Sequence, residues 1–281
     1  MRASRVTGWV LLALLTLQTA CGGAMSGGAA PTSLPHASAG FNLFSPEQDI
    51  QLGEASAEEI MRQVSVLHDE RAGRYVQRLG ERVAAGAPGY KFPYKFVVVD
   101  SPEVNAFALP GGYVFVNEGA IEAARTEGEL AGVLAHEIAH VSLRHGTTQA
   151  SRAYLARTAL GVVNTVAGIG HGDFWRVAAA ACGSGVNNFF LRSNRAAELQ
   201  ADAEGARLLA EAGFDPRDMA HFFQRLNERE GDREEVVSDH PDPASRVEAI
   251  TKVVAALGQP PARPRDSEEF HRIKSRLSNS R

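Results

Sequence analysis

The chain has 281 residues, of which 44% are hydrophobic and 22% are charged, and its formal net charge is −4. These proportions predict one medium-sized globular domain with a hydrophobic core. Proteins that bind nucleic acid concentrate Lys and Arg on one surface, and no basic cluster stands out along the sequence, so we exclude nucleic acid as a partner.

The first twenty residues have the layout of a secretory signal peptide. Arg2 and Arg5 precede an apolar run over residues 9–17, and no acidic residue occurs before Glu47. That order of charge and apolar residues is typical of export signals. The run is shorter than the roughly 20 apolar residues that a permanent membrane-spanning helix needs. We therefore expect residues 1–20 to direct export.

The apolar run ends in LTLQTAC, which resembles the lipobox of bacterial lipoproteins and predicts lipid attachment at Cys21. Such signals usually have Leu three residues before the cysteine, whereas this chain has Gln18 there. Cleavage after Ala24, which would give a soluble periplasmic protein, is the alternative. We favour a lipoprotein of the outer membrane that faces the periplasm, with the Gly-, Ala-, Ser- and Pro-rich residues 21–44 as a flexible linker.

Helix and strand signals begin after this linker. Ser45, Pro46 and Gln48 form a capping box with proline in the first turn, which predicts the start of a helix. A buried strand is predicted at residues 96–99. Further on, the turn Pro110-Gly111-Gly112 leads into a second strand, so a hairpin is expected just before the next helix.

The sequence VLAHEIAH lies in that next helix. Thr126 and Glu129 form a T-x-x-E capping box and Gly146 offers a stop, so one helix is predicted over residues 127–145. Residues four apart lie about 40° apart around a helix axis, so His136 and His140 can bind one ion. Glu137 lies on the same flank, where it can accept a proton from a water molecule activated by that ion.

Two other interpretations of these histidines are a chance match and a polar surface cluster. The helix is rich in apolar residues, including Leu130, Leu134 and Ile138, and this pattern indicates burial. Burying two imidazoles and a carboxylate costs free energy unless a partner such as zinc binds them. His145 is nine residues from His136 and would point away in a straight helix, so we expect it to be a polar or capping residue.

A third ligand has to come from another element. Glu198 and Asp202 lie four residues apart in a helix predicted from about residue 195 to 212. If Glu198 binds the metal, Asp202 is placed to bond the outer nitrogen of a ligand histidine and fix its tautomer. Without the preceding HEIAH, such an E-x-x-x-D pair would usually be only a solvated helix face.

The remaining segments are predicted to be helical. The apolar stretches between residues 159 and 190 are interrupted by polar residues and glycines, so we expect a helical hairpin packed on the domain, with Cys182 as a small buried residue. Further helices are predicted after Pro216 and after Asp242. Residues 259–281 are predicted to be a Pro-rich break followed by a short helix.

Five motifs in one order resemble a family of zinc endopeptidases. They are FNLFSPEQDIQLG, NAFALPGGYVFVNEGAI, ELAGVLAHEIAHVSLRHG, RAAELQAD and DHPDPASRVEAI, between about Phe41 and Leu257. The family is that of the CAAX prenyl endopeptidases, the bacterial heat-shock protease HtpX and the mitochondrial Oma protease, which are gluzincins. The resemblance is strongest to its exported bacterial lipoprotein-type members.

The resemblance implies an α+β fold that is mostly α, with a zincin-like metallopeptidase domain over residues 45–258 and a small sheet or hairpin beside the HExxH helix. It implies that one Zn²⁺ per chain is bound by His136, His140 and Glu198, and that Glu137 is the catalytic base.

The resemblance also implies supporting roles. Asp202 and Arg246 would lie behind the ligands, and His240 would approach the metal, where it stabilises the oxyanion or occupies the open position in a latent state. The extended stretch containing Asn105, Ala106 and Phe107 could bind a substrate peptide as an added strand. An ordinary core hairpin is the alternative for that stretch.

The predicted function is that of a zinc-dependent metalloendopeptidase that cleaves unfolded or misfolded envelope proteins in protein quality control. The predicted contact with the membrane is the lipid anchor, because the hydrophobic spans of the integral-membrane relatives are missing. The alternative is a zinc-binding chaperone or assembly factor for outer-membrane proteins with a latent protease site. A hydrolase of small amides is a third interpretation.

Overall fold

The structure is a computed structural model that describes residues 36–159, 194–230, 243–257 and 266–279. Within these ranges the helices are α1 (Pro46–Gln63), α2 (Glu70–Ala84), α3 (Glu118–Ala123), α4 (Glu127–Ser142), α5 (His145–Ala159), α6 (Arg195–Glu211), α7 (Arg217–Glu230), α8 (Pro243–Leu257) and α9 (Glu268–Ser278). The strands are β1 (Lys95–Val99), β2 (Ala106–Ala108) and β3 (Tyr113–Asn117). The described fold is therefore mostly helical with a small sheet, which confirms the predicted fold class.

Several sequence predictions concern residues outside the described ranges. They are the signal peptide over residues 1–20, the lipidated Cys21 and the alternative cleavage after Ala24, the apolar hairpin between residues 159 and 190 with Cys182, His240, the helix cap Asp242, and the Pro-rich break that begins at residue 259.

The first helix begins as its sequence predicts. The hydroxyl of Ser45 accepts a hydrogen bond from the backbone N–H of Gln48, and the Gln48 side chain accepts one from the backbone N–H of Ser45. The apolar side of α1, with Ala57 and Ile60, packs against Phe115 in the sheet. The capping box thus fixes the start of a helix that covers one face of the sheet.

The sheet has the strand order β1-β3-β2, with β1 parallel and β2 antiparallel to β3. A 3-10 turn at Pro110–Gly112 joins β2 to β3, and Gly111 has a φ of 80° there. The outer edge of β1 is covered, because the backbone N–H of Leu67 donates to the carbonyl of Val98 over 2.9 Å. Strand β2 forms the opposite edge, and α4 packs beside it.

Helix α4 is the centre of the core. It contacts α2, α6 and α7 as well as the sheet, and Leu130, Leu134 and Ile138 are fully buried. Small residues let its neighbours approach closely. A Cβ atom on Gly205 of α6 would lie 3.2 Å from the backbone nitrogen of His136, and one on Gly132 would lie 2.8 Å from the Cα of Met219 in α7. The histidine-bearing helix is therefore held by backbone contact on two sides.

Helix α4 ends earlier than predicted. We expected one helix over residues 127–145, but α4 ends at Ser142, Arg144 has a φ of 56°, and His145 starts α5. Gly146 therefore lies inside α5 and is not the stop. The start of α4 also differs from the predicted capping box. The Thr126 hydroxyl accepts from the backbone N–H of Glu129 as in such a box, but the Glu129 carboxylate accepts from the backbone N–H of Arg125 and not from that of Thr126.

The residues before α1 pack on the helices. The backbone N–H of Leu43 donates to the hydroxyl of Ser151 in α5 over 2.8 Å. The side chain of Glu204 in α6 accepts from the backbone N–H of Ala37 and lies 2.6 Å from Nδ1 of His36. The packed part of the chain thus begins before Ser45, where the sequence analysis placed the end of a flexible linker.

The predicted C-terminal helix is present as α9. Its apolar residues Phe270, Ile273 and Leu277 are buried in the same core as α2. No helix in the described ranges has both the length and the apolar character that crossing a bilayer requires.

We expect Gly132→Ala to destabilise the domain, because the new Cβ atom would lie 2.8 Å from the Cα atom of Met219. Overpacking of this kind costs about 1 to 3 kcal/mol, so the melting temperature should fall. Gly73→Ala on α2 is the matched control, since nothing lies within 4 Å of a Cβ there. Gly73→Ala should raise the free energy of unfolding by about 0.5 to 1 kcal/mol. Equal melting temperatures for the two variants would contradict the close packing of α4 on α7.

Candidate metal centre

Three side chains from α4 and α6 meet inside the core. The Nε2 atoms of His136 and His140 are 3.0 Å apart, and the Glu198 carboxylate lies 3.3 Å from the first and 3.4 Å from the second. His136 and Glu198 are each 1% exposed. These three residues form a group that can hold a metal ion.

The spacing of these donor atoms is that of ligands around a tetrahedral metal ion. Metal–nitrogen and metal–oxygen bonds of about 2.0 to 2.2 Å place neighbouring ligand atoms roughly 3.3 Å apart. The distances of 3.0, 3.3 and 3.4 Å between the three side chains match that value. Two imidazoles and a carboxylate are also a donor set typical of sites that bind divalent metals. The residues therefore fit a metal ion.

Local structure sets the position of Glu198. Asn194 caps α6 by accepting a hydrogen bond from the backbone N–H of Ala197, so Glu198 lies in the first turn of the helix. The helix then passes close to α4, because Gly205 has no side chain to hold them apart. A helix start and a close crossing thus bring the Glu198 carboxylate to the two histidines.

Asp202 lies one turn further along α6 and contacts the outer nitrogen of His136. Its carboxylate lies 3.0 Å from Nδ1 of His136. Arg246 of α8 donates from Nη2 to the same carboxylate over 2.9 Å and from Nε over 3.1 Å. The Arg246 Nη2 atom is also 3.0 Å from Nδ1 of His136. Asp202 therefore joins the site to α8.

Phe223 of α7 completes this side of the site and was not predicted. Its ring lies 3.7 Å from the central carbon of the Arg246 guanidinium and edge-on to His136, with a ring centroid distance of 5.6 Å. A guanidinium over an aromatic ring gains a cation–π attraction, which is larger when the cation is desolvated. The sequence around Phe223 has helical apolar spacing only, so no local signal separates it from other core residues.

Burial and ion pairing shift the pKa values of these groups in different directions. Burial and the Arg246 charge act to lower the pKa of His136, but hydrogen bonds and charge from Asp202 and Glu198 outweigh them and raise it to about 9. Burial acts to raise the pKa of Asp202, but Arg246 and His136 outweigh it and lower that pKa to about 2. Burial lowers the pKa of His140 well below its usual value.

His145 contacts the second ligand histidine. Its Nδ1 atom is 3.0 Å from Nδ1 of His140, and its Nε2 atom is 3.2 Å from Oε1 of Gln200 in α6. Burial lowers the pKa of His145 to about 4. It is not one of the three grouped residues. The prediction that it points away from them is wrong, because α4 ends before it and it lies beside His140.

Glu137 and the predicted substrate-binding residues lie on α4 and at the strand beside it. Glu137 follows His136 on α4 and is 3% exposed, and its charge acts on the buried Arg246. Asn105 immediately precedes β2, and Ala106 and Phe107 form its first two positions, in the edge strand beside α4. His240 lies outside the described residues, three positions before the first residue of α8.

A mostly helical fold with a small sheet, and a metal-binding group built from an HExxH helix and a glutamate of a later helix, define a zincin-like metallopeptidase domain. The model of a protein family described as Peptidase family M48 matches residues 70–254. The chain therefore belongs to Peptidase family M48, which confirms the resemblance found in its motifs.

Curated relatives agree with this family. The chain is 28% identical over 85% of its length to the beta-barrel assembly-enhancing protease of Escherichia coli K12, and 29% identical over 75% to that of Yersinia pestis. It is 30% identical over 63% of its length to the mitochondrial metalloendopeptidase OMA1 of Schizosaccharomyces pombe. The matched region covers 50%, 44% and 51% of these relatives, so the chain spans about half of their length.

The raised pKa of His136 predicts that metal binding displaces a proton. With a pKa of about 9, this imidazole is protonated at pH 7 in the metal-free protein, whereas a metal ligand must be neutral. Apparent affinity should therefore rise by roughly tenfold per pH unit between about pH 6.5 and 8.5. Competition with a chromophoric chelator at a series of pH values measures this affinity. An affinity independent of pH over that range would show that His136 is already neutral.

Proposed function

We propose that this chain is a zinc-dependent metalloendopeptidase that hydrolyses peptide bonds of cell-envelope proteins. The observation that carries the proposal is the buried group of His136, His140 and Glu198, whose donor atoms lie within 4.8 Å of one another. Glu137 follows the first ligand directly, and the edge strand β2 lies beside the same helix. A group that can hold a metal, a carboxylate and an edge strand thus lie on or beside one helix, which supports this proposal.

His136, His140 and Glu198 would hold the zinc ion. When bound, zinc supplies Lewis-acid chemistry, which polarises the scissile carbonyl and lowers the pKa of water towards about 7. The choice of zinc rests on the donor set of two imidazoles and one carboxylate, which is the protein ligand set of many catalytic zinc sites. Asp202 would hold His136 in the tautomer that presents Nε2 to the ion.

Glu137 would act as general base and then as general acid. Its carboxylate accepts a proton from the attacking water, whose oxygen bonds to the carbonyl carbon of the scissile peptide. The same proton is then given to the leaving nitrogen as the C–N bond breaks. Water is thereby divided between the two products, and Glu137 returns to its ionised form.

Positive charge near the site would stabilise the oxyanion that forms on the carbonyl oxygen. We propose His240 for this role, because it precedes Pro243 at the start of α8 by three residues, and Arg246 of α8 contacts His136. Arg246 would act through Asp202 and His136, since its Nε and Nη2 atoms are already bonded to the Asp202 carboxylate.

The substrate would bind along β2 as an additional strand. Asn105 accepts from the backbone N–H of Asn117, and Leu109 donates to the carbonyl of Tyr113, so alternate residues of this strand bond to β3. The backbone groups of Ala106 and Ala108 therefore point away from β3, towards the side of β2 that has no neighbouring strand among the described residues. Backbone pairing of this kind tolerates many side chains, which suits unfolded substrates.

The envelope location is inferred from the relatives and the signal sequence. Two matched relatives are named for the assembly of β-barrels. We infer that the chain is exported, held at the outer membrane by lipid on Cys21, and acts on unfolded or misfolded envelope proteins in the periplasm. Cleavage after Ala24 would leave the same activity in a soluble periplasmic form.

The test is cleavage of casein by the purified protein and by Glu137→Gln, with zinc measured in both. We expect about one zinc per chain in each protein and a loss of at least about 100-fold in turnover for the variant, because general acid–base catalysis contributes about that much. Glu58→Gln, an exposed change on α1, is the matched control and should cleave like the wild type.

The outcomes separate the candidate functions. Zinc in both proteins without cleavage by either would favour the latent site of a chaperone or assembly factor. Equal cleavage by the wild type and Glu137→Gln would remove Glu137 as the base. Absence of zinc from the wild type would contradict the proposed metal site.

Strand addition at β2 predicts a specific effect of Ala108→Pro. Proline removes the outward N–H of this position while an edge strand tolerates its ring. Loss of one hydrogen bond of about 1 kcal/mol should reduce kcat/KM for casein roughly fivefold or more, with zinc content unchanged. Ala108→Ser keeps the N–H and is the control. Equal values of kcat/KM for both variants would place the substrate elsewhere.

A further inference from the structure

The two ligand histidines have different partners on their outer nitrogens. Asp202 lies 3.0 Å from Nδ1 of His136, whereas the Nδ1 atom of His140 is 3.0 Å from Nδ1 of His145. The His145 ring meets the His140 ring edge-on at 78°, with 4.9 Å between centroids. His145 is therefore the outer partner of His140, as the Asp202 carboxylate is the outer partner of His136.

The positions of protons along this contact follow from its two ends. The Nε2 atom of His140 faces His136 and Glu198, so a metal at this site would leave the His140 proton on Nδ1. At the other end, Oε1 of Gln200 is an acceptor, so Nε2 of His145 carries a proton and its Nδ1 has a lone pair. Each donor then faces an acceptor, from His140 to His145 and from His145 to Gln200.

An ion pair between Arg144 and the buried Asp49 precedes His145 and fixes the turn that leads to it. The Arg144 guanidinium donates to both carboxylate oxygens of Asp49 in α1, over 2.6 and 3.1 Å, and to the carbonyl of Phe44 over 2.6 Å. Arg144 has the left-handed φ of 56° that ends α4. In a straight continuation of α4, His145 would lie about 180° around the axis from His136. The turn at Arg144 brings it back to His140.

We propose that His145 is a positioning residue of the metal centre. It accepts the hydrogen bond from Nδ1 of His140 and thereby fixes the tautomer and the ring plane of that ligand. The ion pair of Arg144 with Asp49 keeps it there. This inference rests on the proposed metal site. It assigns a role in that site to Asp49, Arg144 and His145, which are not ligands.

The test measures metal affinity and ligand geometry instead of turnover. Outer partners of ligand histidines contribute about 10- to 100-fold in affinity. We expect His145→Ala to weaken Zn²⁺ binding by about that factor in competition with a chromophoric chelator, and to alter the visible spectrum of the Co²⁺-substituted protein. His145→Asn should restore most of the affinity, because its side-chain oxygen can accept the bond from His140. His68→Ala, an exposed histidine before α2, is the matched control.

A merely structural His145 would give a different pattern. If His145→Ala binds Zn²⁺ as tightly as the wild type and has the same Co²⁺ spectrum, the inference is overturned while the metal site stands. If the wild type binds no metal, both are overturned. Weakened binding that His145→Asn does not restore would also overturn it, because a general packing defect then explains the loss.

A second variant covers the case in which His145→Ala does not fold. Gln200→Ala leaves both histidines in place and removes the acceptor that orients His145, at an exposed position on α6. We expect a smaller loss of Zn²⁺ affinity, of about threefold to tenfold, consistent with one hydrogen bond of about 1 kcal/mol. Unchanged affinity in Gln200→Ala would then overturn the inference.

Discussion

The burial of four ionisable side chains between α4 and α6 is the constraint on which the rest of the structure depends. His136, Glu198 and Asp202 are buried and the side chain of His140 is 12% exposed, and these groups lie among mostly apolar core residues, where an unpaired charge is costly. Arg246 compensates Asp202 from α8, and a metal ion would compensate the three grouped ligands. Because these charges lie where α4 and α6 pack together, metal binding and the packing of the domain are coupled.

The outer contacts make the two ligand histidines unequal. His136 faces a carboxylate that Arg246 partly neutralises, while His140 faces a neutral imidazole. A carboxylate partner makes an imidazole a more basic ligand than a neutral partner does. The ion would therefore be held more strongly from the side of α8 than from the side of α5. In an asymmetric site of this kind the weaker ligand, His140, can move while the stronger ligand, His136, stays fixed.

Spacing within single helices made much of the site predictable. His136 and His140 were identified because residues four apart share a helix face, and Glu198 and Asp202 because a pair with the same spacing follows HEIAH on a later predicted helix. The start of α1 and the hairpin followed from capping and turn residues. Contacts between distant segments were not predictable in this way. The end of α4 depends on Asp49, 95 positions before Arg144, and Phe223 carries no sequence signal that distinguishes it from other core residues. The parallel pairing of β1 with β3 likewise depends on the whole fold.

The packed segment before α1 limits where the chain can be cut without damage. The Glu204 carboxylate is fully buried, and its contacts include His36, the backbone N–H of Ala37 and Arg207. A protease that released the domain by cutting just before Ser45 would remove two of these contacts. The loss would fall on α6, six residues after Glu198, so a trimmed domain would differ from the intact one in the helix that supplies its third ligand.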